Sequence, residues 1–317
     1  MRALVCSGFG SGENLSLEVR ANPEPGPGEV RVRVLACGAN ASDWEFVTGK
    51  PYYGRMSRWF MRGRDVFGSD VLGVVDKLGP GCTKFKTGER VLADTFGTFG
   101  GFAEMCVAKE ALWVPVPRGV SDVFAAALPQ SGTIALSGTR GRAGPGKKVL
   151  VNGGGGGSGP LAIQLAAQTG AEVWGVDTAA KADVMREAGA VRVLDFKSED
   201  FVALEERFDL ILDLYGTRSM RRVRRGLAPS GQYLMVGGPM RQLLGAGLAM
   251  LWTRATNRRA GLLMVPQGPE ALGELLEMVQ AEHLTPVVGE VTSLDCARQA
   301  LMDMGARKIG GKLVIVP

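Results

Sequence analysis

One run of sequence decides the fold: Lys147-Lys148-Val149-Leu150-Val151-Asn152-Gly153-Gly154-Gly155-Gly156-Gly157-Ser158-Gly159-Pro160. The apolar residues before the glycines predict a short buried strand, and the apolar segment 161–168 after them predicts a helix. Gly154, Gly156 and Gly159 match G-x-G-x-x-G, where glycines permit a tight turn and a close approach of backbone N–H groups to a pyrophosphate. The following helix N-terminus adds further donors. The run predicts a dinucleotide site with these contacts: Gly154, Gly156, Gly157, Ser158 and Gly159.

An acidic residue follows this loop at the distance that a dinucleotide site requires. Asp177 ends the next predicted strand, Val173–Val176, and lies 177 − 159 = 18 residues after Gly159. A carboxylate at this position accepts hydrogen bonds from the adenosine ribose and repels a 2′-phosphate. The sequence therefore favours NAD(H) over NADP(H).

Composition and charge exclude several other classes of protein. The chain has 317 residues and a net charge of +5, which could favour an anionic ligand but indicates a generic basic surface and is too small to argue by itself for a nucleic-acid partner. Its five cysteines form no C-x-x-C pair, which indicates a reducing compartment. The longest apolar stretch, Leu243–Trp252, is shorter than the ~20 residues of a membrane span. We expect a cytoplasmic protein without a membrane segment.

The two parts of the chain differ in their predicted elements. Short alternating runs separated by Gly/Pro turns indicate a β-rich first third, whereas strands and helices alternate after Pro115–Pro117. Such alternation is typical of a parallel sheet with helices on both faces. The tail holds two predicted helices, 270–280 and 296–302, and a last strand, 312–316.

Several motifs resemble those of the medium-chain dehydrogenase/reductase superfamily, in its zinc-free quinone oxidoreductase and enoyl reductase branch. Besides the glycine loop they are 38–43 (Gly-Ala-Asn-Ala-Ser-Asp), 67–75 (Phe-Gly-Ser-Asp-Val-Leu-Gly-Val-Val), 88–91 (Gly-Glu-Arg-Val), 100–104 (Gly-Gly-Phe-Ala-Glu), 126–129 (Ala-Ala-Leu-Pro) and 310–314 (Gly-Gly-Lys-Leu-Val). The resemblance implies an α/β protein with a GroES-like β-barrel domain, 1–118 and 260–317. It implies a Rossmann doubly wound parallel-sheet domain, 119–259.

The resemblance also allows a test for zinc. Zinc-dependent relatives carry Gly-His-Glu where this chain has Gly68-Ser69-Asp70, and a cysteine near Asn40–Asp43. The chain's one histidine, His283, lies far along the tail, where we expect a surface or cap position. Catalytic zinc needs three protein ligands. The chain is therefore predicted to hold no zinc.

Site residues follow from the resemblance position by position. Asn40 is expected near the nicotinamide ribose, Thr133 at the nicotinamide end, and Lys312 in the cleft from the tail. The backbone of Tyr215, Gly237 and Gly238 is expected to line the cofactor. NADPH-preferring relatives hold the 2′-phosphate with a Ser/Thr and a basic residue after the second strand; here these are Thr178 and, one position displaced, Lys181.

Without a metal, the natural hydride acceptors are quinones and α,β-unsaturated carbonyls, whose enolate needs a hydrogen-bond donor and a proton. Tyr52 and Tyr53 are candidate proton donors, with rim packing as the alternative. Asp43 is either a polar cleft residue or a buried carboxylate that caps nearby backbone.

In the relatives that the chain resembles, segments like the basic and aromatic Tyr52–Arg64 and the apolar Met240–Arg259 shape the substrate mouth. We therefore predict a hydrophobic or anionic small-molecule substrate, with a solvated basic face as the alternative. A dense set of arginines, Arg218, Arg221, Arg222, Arg224 and Arg225, is read as a solvated helix face rather than an RNA site. The resemblance implies a homodimer that forms through the edge of the Rossmann sheet, and we predict the strand Gly231–Val236 as that edge contact. Two alternatives remain open: a cofactor-binding protein with little turnover or an RNA contact, and an enzyme with a specialised biosynthetic substrate.

Overall fold

The structure is a computed structural model that describes residues 1–52, 54–56, 63–252, 259–266 and 268–317. Its strands are β1 Arg2–Cys6, β2 Leu15–Val19, β3 Glu29–Ala39, β4 Asp70–Leu78, β5 Arg90–Asp94, β6 Met105–Lys109, β7 Val114–Pro115, β8 Lys148–Asn152, β9 Glu172–Asp177, β10 Arg192–Asp195, β11 Phe208–Asp213, β12 Leu227–Met235, β13 Arg259–Leu262, β14 Val288–Ser293 and β15 Lys312–Val316. Its helices are α1 Ala41–Thr48, α2 Asp122–Ala126, α3 Pro129–Thr139, α4 Gly159–Ala167, α5 Ala182–Glu187, α6 Met220–Gly226, α7 Met240–Trp252, α8 Pro269–Gln280 and α9 Ala297–Gly305. Among the described helices, none has the length and hydropathy of a membrane span.

The chain divides into two compact units. The first unit comprises Met1–Thr133 and Gln267–Pro317, and the second comprises Ile134–Pro266. The predicted domain boundaries, 118/119 and 259/260, lie earlier along the chain than both observed divisions. The first turn of α3 stays with the first unit because the Gln130 N–H donates to the Asp70 carboxylate at 3.3 Å. The strand β13 stays with the second unit because it joins that unit's sheet.

The first unit is built on a seven-stranded sheet with the order β14-β15-β3-β4-β5-β7, in which β6 also pairs with β3. Long β3 alternates buried and less buried residues, as its sequence predicts, and pairs antiparallel with β4, β6 and β15. Phe46, Phe67 and Phe99 meet in the core beneath it, with ring centroids 5.4 to 5.7 Å apart. The predicted GroES-like β domain is confirmed.

The second unit is a six-stranded sheet with the order β10-β9-β8-β11-β12-β13, and every strand pair in it is parallel. This is the doubly wound order 3-2-1-4-5-6, which confirms the predicted Rossmann fold. The order reverses between β8 and β11, where Asn152 lies in register with Asp213. Ligands of open α/β sheets bind at such a switch point, outside the carboxyl ends of the strands.

The predicted dimer strand is not at the sheet edge. Strand β12, which contains most of Gly231–Val236, lies between β11 and β13, so its backbone groups pair on both sides. The assignment of 231–236 as an edge strand is therefore wrong. Sequence reasoning missed β13 because it is short and centred on Ala260 and Gly261, which have low strand propensity.

Candidate functional site

The glycine loop between β8 and α4 has a conformation that requires glycine at both ends. Gly153 has a φ of +88°, so the tight turn falls there and not at Gly154, where the motif predicts it. The N–H groups of Gly153 and Gly154 donate to the Val176 carbonyl of β9 at 2.8 and 3.0 Å. A Cβ on Gly159 would lie 2.4 Å from the carbonyl oxygens of Gly153 and Gly154. The helix therefore starts directly against the turn.

The same loop presents free donors. The Gly156 N–H donates back to the Gly153 carbonyl at 3.1 Å, whereas the N–H groups of Gly157 and Ser158 donate to no acceptor within the described residues. Ser158 stands at the N-cap of α4 with no side-chain cap bond, and Pro160 occupies the first turn. Free N–H groups at a helix N-terminus suit a phosphate. The loop thus fits the pyrophosphate of a dinucleotide.

Asp177 ends β9 next to the loop, but its carboxylate already has protein partners. Oδ2 accepts the Gly155 N–H at 3.1 Å, and Oδ1 accepts the Thr178 N–H at 2.8 Å. The buried ammonium of Lys181 lies 4.0 Å from Oδ1. Carboxylate oxygens accept more than one hydrogen bond, so ribose hydroxyls still have sites here. The nearby ammonium reduces the repulsion that Asp177 alone would exert on a 2′-phosphate.

The ends of β11 and β12, with the residues Tyr215, Gly237 and Gly238 that follow them, meet beside the loop. The Gly216 N–H donates to the Gly237 carbonyl at 2.9 Å. Gly238 has a φ of +146°, and a Cβ there would lie 2.4 Å from the Gly216 carbonyl. The Leu214 N–H donates to the Asn152 carbonyl of β8 at 3.0 Å. The switch point therefore brings these backbone segments to one edge of the sheet.

A buried network under this edge was not predicted from the sequence. Asp213 accepts the Asn152 amide at 2.6 Å and the Tyr233 hydroxyl at 2.8 Å. Burial raises the pKa of the Asp213 carboxyl and, with the Asp213 charge, that of the Tyr233 hydroxyl. The available signal was that Asn152 and Asp213 are polar residues ending neighbouring apolar strands. The network ties β8, β11 and β12 together below the glycine loop.

In the first unit, Lys312 is not placed to reach a cofactor directly. Its side chain is 2% exposed, and its ammonium donates to Asn40 Oδ1 at 2.6 Å, Asp70 Oδ2 at 2.7 Å and Ser131 Oγ at 3.0 Å. These three bonds use all three ammonium protons. The predicted direct contact is therefore corrected: Lys312 instead holds Asn40 by its side-chain oxygen.

Asn40 and Thr133 are both buried polar residues of the first unit. Asn40 caps α1, and its Nδ2 makes only a long 3.5 Å contact, to Ser69 Oγ. The Thr133 hydroxyl donates to the Pro129 carbonyl at 2.6 Å, within its own helix. Both side chains are mostly buried. Their contacts with a cofactor stay predictions.

Asp43 adopts the capping alternative. Its side chain is fully buried; Oδ2 accepts the Asn40 N–H at 2.8 Å, and Oδ1 accepts the Gly68 N–H at 3.1 Å. Burial, with the Asp70 charge as a smaller cause, raises the pKa of the Asp43 carboxyl to about 7, against the lowering effect of these backbone bonds. The full burial of the side chain favours the capping alternative, and the catalytic role of Asp43 stays a prediction.

Of the two candidate tyrosines, Tyr52 lies within the described residues. Tyr52 is 66% exposed and sits in a turn after α1. Tyr53 lies outside the described residues, as do Arg58, Trp59, Phe60 and Arg62 of the predicted substrate mouth. The role of Tyr52 as a proton donor stays a prediction.

The donor set does not fit catalytic zinc. Asp70 is ion-paired with Lys312, and both oxygens of Asp43 accept backbone N–H groups. In the part of the chain that the structure describes, no three His, Cys, Asp or Glu side chains cluster so as to hold a metal. His283 is exposed after α8, as expected. The Asp70 oxygen that could bind a metal ion instead binds the buried Lys312 ammonium.

Comparison with known proteins supports the fold assignment. Residues 26–118 match the family described as the alcohol dehydrogenase GroES-like domain, and residues 188–315 match the family described as zinc-binding dehydrogenase. Together with the switch-point loop, these matches define the class. The chain belongs to the medium-chain dehydrogenase/reductase superfamily.

Individual relatives narrow this class. The chain is 29% identical over 297 residues to a chloroplastic quinone oxidoreductase of Triphysaria versicolor, covering 89% of this chain and 88% of the relative. It is 30% identical to a 2-methylene-furan-3-one reductase of Solanum lycopersicum, covering 79% of this chain and 63% of that protein. The structure of a Coxiella burnetii quinone oxidoreductase superposes with a TM-score of 0.89 at 25% identity, covering 100% of this chain and 99% of that one. The chain is thus an oxidoreductase of the quinone oxidoreductase-like branch.

Proposed function

We propose that the chain uses a nicotinamide dinucleotide to reduce a quinone or an α,β-unsaturated carbonyl, without zinc. The observation that carries the proposal is the glycine loop at the switch point, with free N–H groups at Gly157 and Ser158. The similar proteins supply the acceptor class, since two are named for quinones and one for a methylene-furanone.

Each part of the candidate site has a defined task in this proposal. The nicotinamide supplies the hydride when it is bound, and the protein orients it against the acceptor. The loop amides hold the pyrophosphate, and Asp177 accepts hydrogen bonds from the ribose. The backbone at Tyr215, Gly237 and Gly238 lines the same ligand. Asn40, held by Lys312, contacts the nicotinamide ribose.

The acceptor also takes up a proton. Lys312 and Asp43 are poorly placed to deliver it, because their polar atoms are buried and already bonded. The exposed Tyr52 hydroxyl or water serves this step in our proposal, with Tyr53 as the second candidate. Quinones and enones need no metal for the step, since the developing oxyanion requires only a hydrogen-bond donor. A hydrophobic small-molecule substrate fits this scheme.

For the cofactor, we propose a modest preference for NAD(H). Asp177 favours an unmodified ribose, whereas the Lys181 ammonium, 4.0 Å away, favours a 2′-phosphate. Removing Asp177 leaves Lys181 uncompensated. We therefore expect Asp177→Ser to shift the preference towards NADPH by about tenfold, the scale of one lost charged hydrogen bond.

Fluorescence titration with NADH and NADPH tests this preference on the wild-type chain, on Asp177→Ser and on the matched control Asp183→Ser. Asp183 is exposed on α5 and paired with Arg186, so its loss should leave both affinities unchanged. Tighter binding of NADPH than NADH by the wild type would contradict the cofactor preference. Turnover of a panel of quinones and enals tests the acceptor class, and inactivity towards all of them would refute it. Inactivation by a chelator would refute zinc independence.

The homodimer and the cytoplasmic location remain predictions. With β12 inside the sheet, we move the predicted dimer contact to β13, the edge strand next to it.

A further inference from the structure

We propose that the second unit carries a binding site for a small polyphosphate anion, separate from the glycine loop. The site is a surface cavity of about 640 Å³ lined by the four arginines Arg207, Arg221, Arg224 and Arg225, with Val202 and Leu204 in its wall. None of these residues belongs to the glycine loop or to the ends of β11 and β12. The sequence-based interpretation of a solvated helix face did not foresee the cavity.

The arginines of α6 and of the residues before it form two sets, which differ in whether they bind an acidic side chain. Arg218 and Arg222, four residues apart, both bind Asp200, at 2.8 and 2.5 Å. Arg218 also lies over the Phe201 ring, 4.4 Å from its centroid. These two arginines fasten the helix to the segment before β11. Their charges are therefore already compensated within the protein.

The second set of arginines lines the cavity. Arg221 lies three residues before Arg224 and four before Arg225, so the three share one side of α6. They are exposed, and within the described residues their guanidinium groups form no ion pair or hydrogen bond. The three charges converge on the cavity without a protein counter-charge.

The fourth arginine comes from a different segment of the chain. Arg207 is held by the loop before β11, where its Nη1 donates to the carbonyls of Leu204, Glu205 and Glu206 at 2.7 to 2.8 Å. Of the acidic side chains nearby, Glu206 binds Arg192 at 3.2 Å and Asp200 binds Arg218 and Arg222. Neither these nor Glu205 is a lining residue, and among the described residues no carboxylate lines the cavity.

The lining selects the chemistry of the ligand. Guanidinium groups present planar forks of donors that match phosphate oxygens, and a charge-assisted bond is about twice as strong as a neutral one. The volume exceeds that of one phosphate and lies within the ~300–1,000 Å³ of small-ligand sites. Among the described residues no aromatic side chain lines the cavity, so single-stranded nucleic acid lacks the stacking platform that it needs there. A short chain of linked phosphates matches the guanidinium donors, fits the cavity volume and needs no stacking platform.

Calorimetric titration of the full chain with inorganic tripolyphosphate, at about 0.1 M salt, tests the site. We expect one saturable site per chain that persists when NADH is present at saturation. Arg221→Gln and Arg224→Gln should each weaken binding by roughly five- to tenfold, since each removes one charge-assisted contact. The matched control Arg222→Gln also removes one charge from α6, but from an arginine that Asp200 already binds. It should change the affinity less than about twofold.

Four outcomes would overturn the proposal. Absence of saturable binding is the first, and complete competition with NADH, which would move the anion to the glycine loop, is the second. Equal losses in Arg221→Gln and Arg222→Gln would indicate unspecific attraction to the basic surface. Binding of a short single-stranded RNA in place of tripolyphosphate would assign the arginines to nucleic acid. Circular dichroism of each variant verifies that a lost affinity is not a lost fold.

Discussion

Lys312 shows how one side chain can organise a site without touching its ligand. The ammonium is surrounded by Asn40, Asp70 and Ser131, and the oxygen of Asn40 is fixed by it at 2.6 Å. Asp70 is fully buried, so its charge depends on this lysine for compensation. Truncating one partner of such a pair leaves the other charge buried and alone.

We therefore expect Lys312→Met to destabilise the fold by about 3–5 kcal/mol, the usual loss for a broken buried ion pair. The double variant Asp70→Asn/Lys312→Met should recover part of this, because no charge is then left uncompensated. Urea unfolding measures both. The control Lys308→Met breaks an ion pair whose lysine is 68% exposed, and should cost at most about 1 kcal/mol. Equal losses in Lys308→Met and Lys312→Met would contradict this account.

At the scale of single residues, the sequence predicts which residues belong to the candidate site better than it predicts which side chains contact one another. The motif Gly310-Gly311-Lys312 marks Lys312 as a site residue, but its three acceptors lie 181, 242 and 272 positions away in the chain. Strand alternation cannot say which distant acid meets a lysine. For Asp43, by contrast, the sequence predicts the capping alternative, because Asp43 lies three residues after Asn40.

Among the elements, the turn from β8 into α4 leaves the least room for change. Its last glycine would place a Cβ 2.4 Å from two backbone carbonyl oxygens, which are not flexible side-chain ends. The turn or the helix start would have to move to accept any side chain at Gly159. The N–H groups meant for the pyrophosphate would move with it.

Gly159→Ala should consequently weaken dinucleotide binding by tenfold or more and destabilise the chain by about 1–3 kcal/mol, the scale of overpacking. The control Gly247→Ala, in the interior of α7 of the same unit, meets nothing within 4 Å. It should be neutral or slightly stabilising, by up to about 1 kcal/mol, since alanine favours the helix. Cofactor titration and thermal unfolding compare the two. Unchanged cofactor affinity in Gly159→Ala would show that the loop does not bind the pyrophosphate.

Strongly patterned elements were predictable, and weakly patterned ones were not. β8, β9 and β11 are apolar runs bounded by polar or glycine residues, and the structure places them where the pattern does. β13 has four residues with a glycine inside, so neither length nor alternation marks it as a strand. Because the sequence pattern does not predict β13, the neighbouring strand β12 was wrongly predicted to be the edge of the sheet.

The stability of the whole chain should depend on pH through buried carboxyls. Burial, followed by the Asp70 charge, raises the pKa of Asp94 to about 7, and burial raises that of Asp43 similarly. A carboxyl with a raised pKa is better tolerated in the fold when protonated. Its contribution is complete below the unfolded pKa of about 4 and is lost as the pH rises through 7.

Asp94→Asn should remove part of this dependence. Between about pH 5 and pH 7.5, the free energy of unfolding of the variant should fall less than that of the wild type, by roughly 1–3 kcal/mol. Urea unfolding at both pH values provides the comparison. Asp183→Asn, on an exposed side chain of α5, is the control and should keep the wild-type slope. A wild-type slope in Asp94→Asn would contradict the assignment.

At the scale of the molecule, the sequence predicts both folds, and the compact units of the structure divide later along the chain than the predicted domain boundaries. The glycine loop and the strand–helix alternation suffice for the second unit, and the β-rich start suffices for the first. The boundary inside α3 depends on Gln130 and Ser131 contacting Asp70 and Lys312. No local composition change marks that position, so only the folded chain reveals it.

The discontinuous first unit has a consequence for biosynthesis. Its sheet pairs β15 with β3, and its buried ammonium comes from β15, which is translated after the whole second unit. The second unit, Ile134–Pro266, is one continuous segment and is complete while that strand is still unmade. Nascent chains must therefore keep β3 and Asp70 without these neighbours until β15 emerges. During that interval the segment Cys37–Ala39 of β3 lacks its β15 partner, which is where a chaperone would be expected to act.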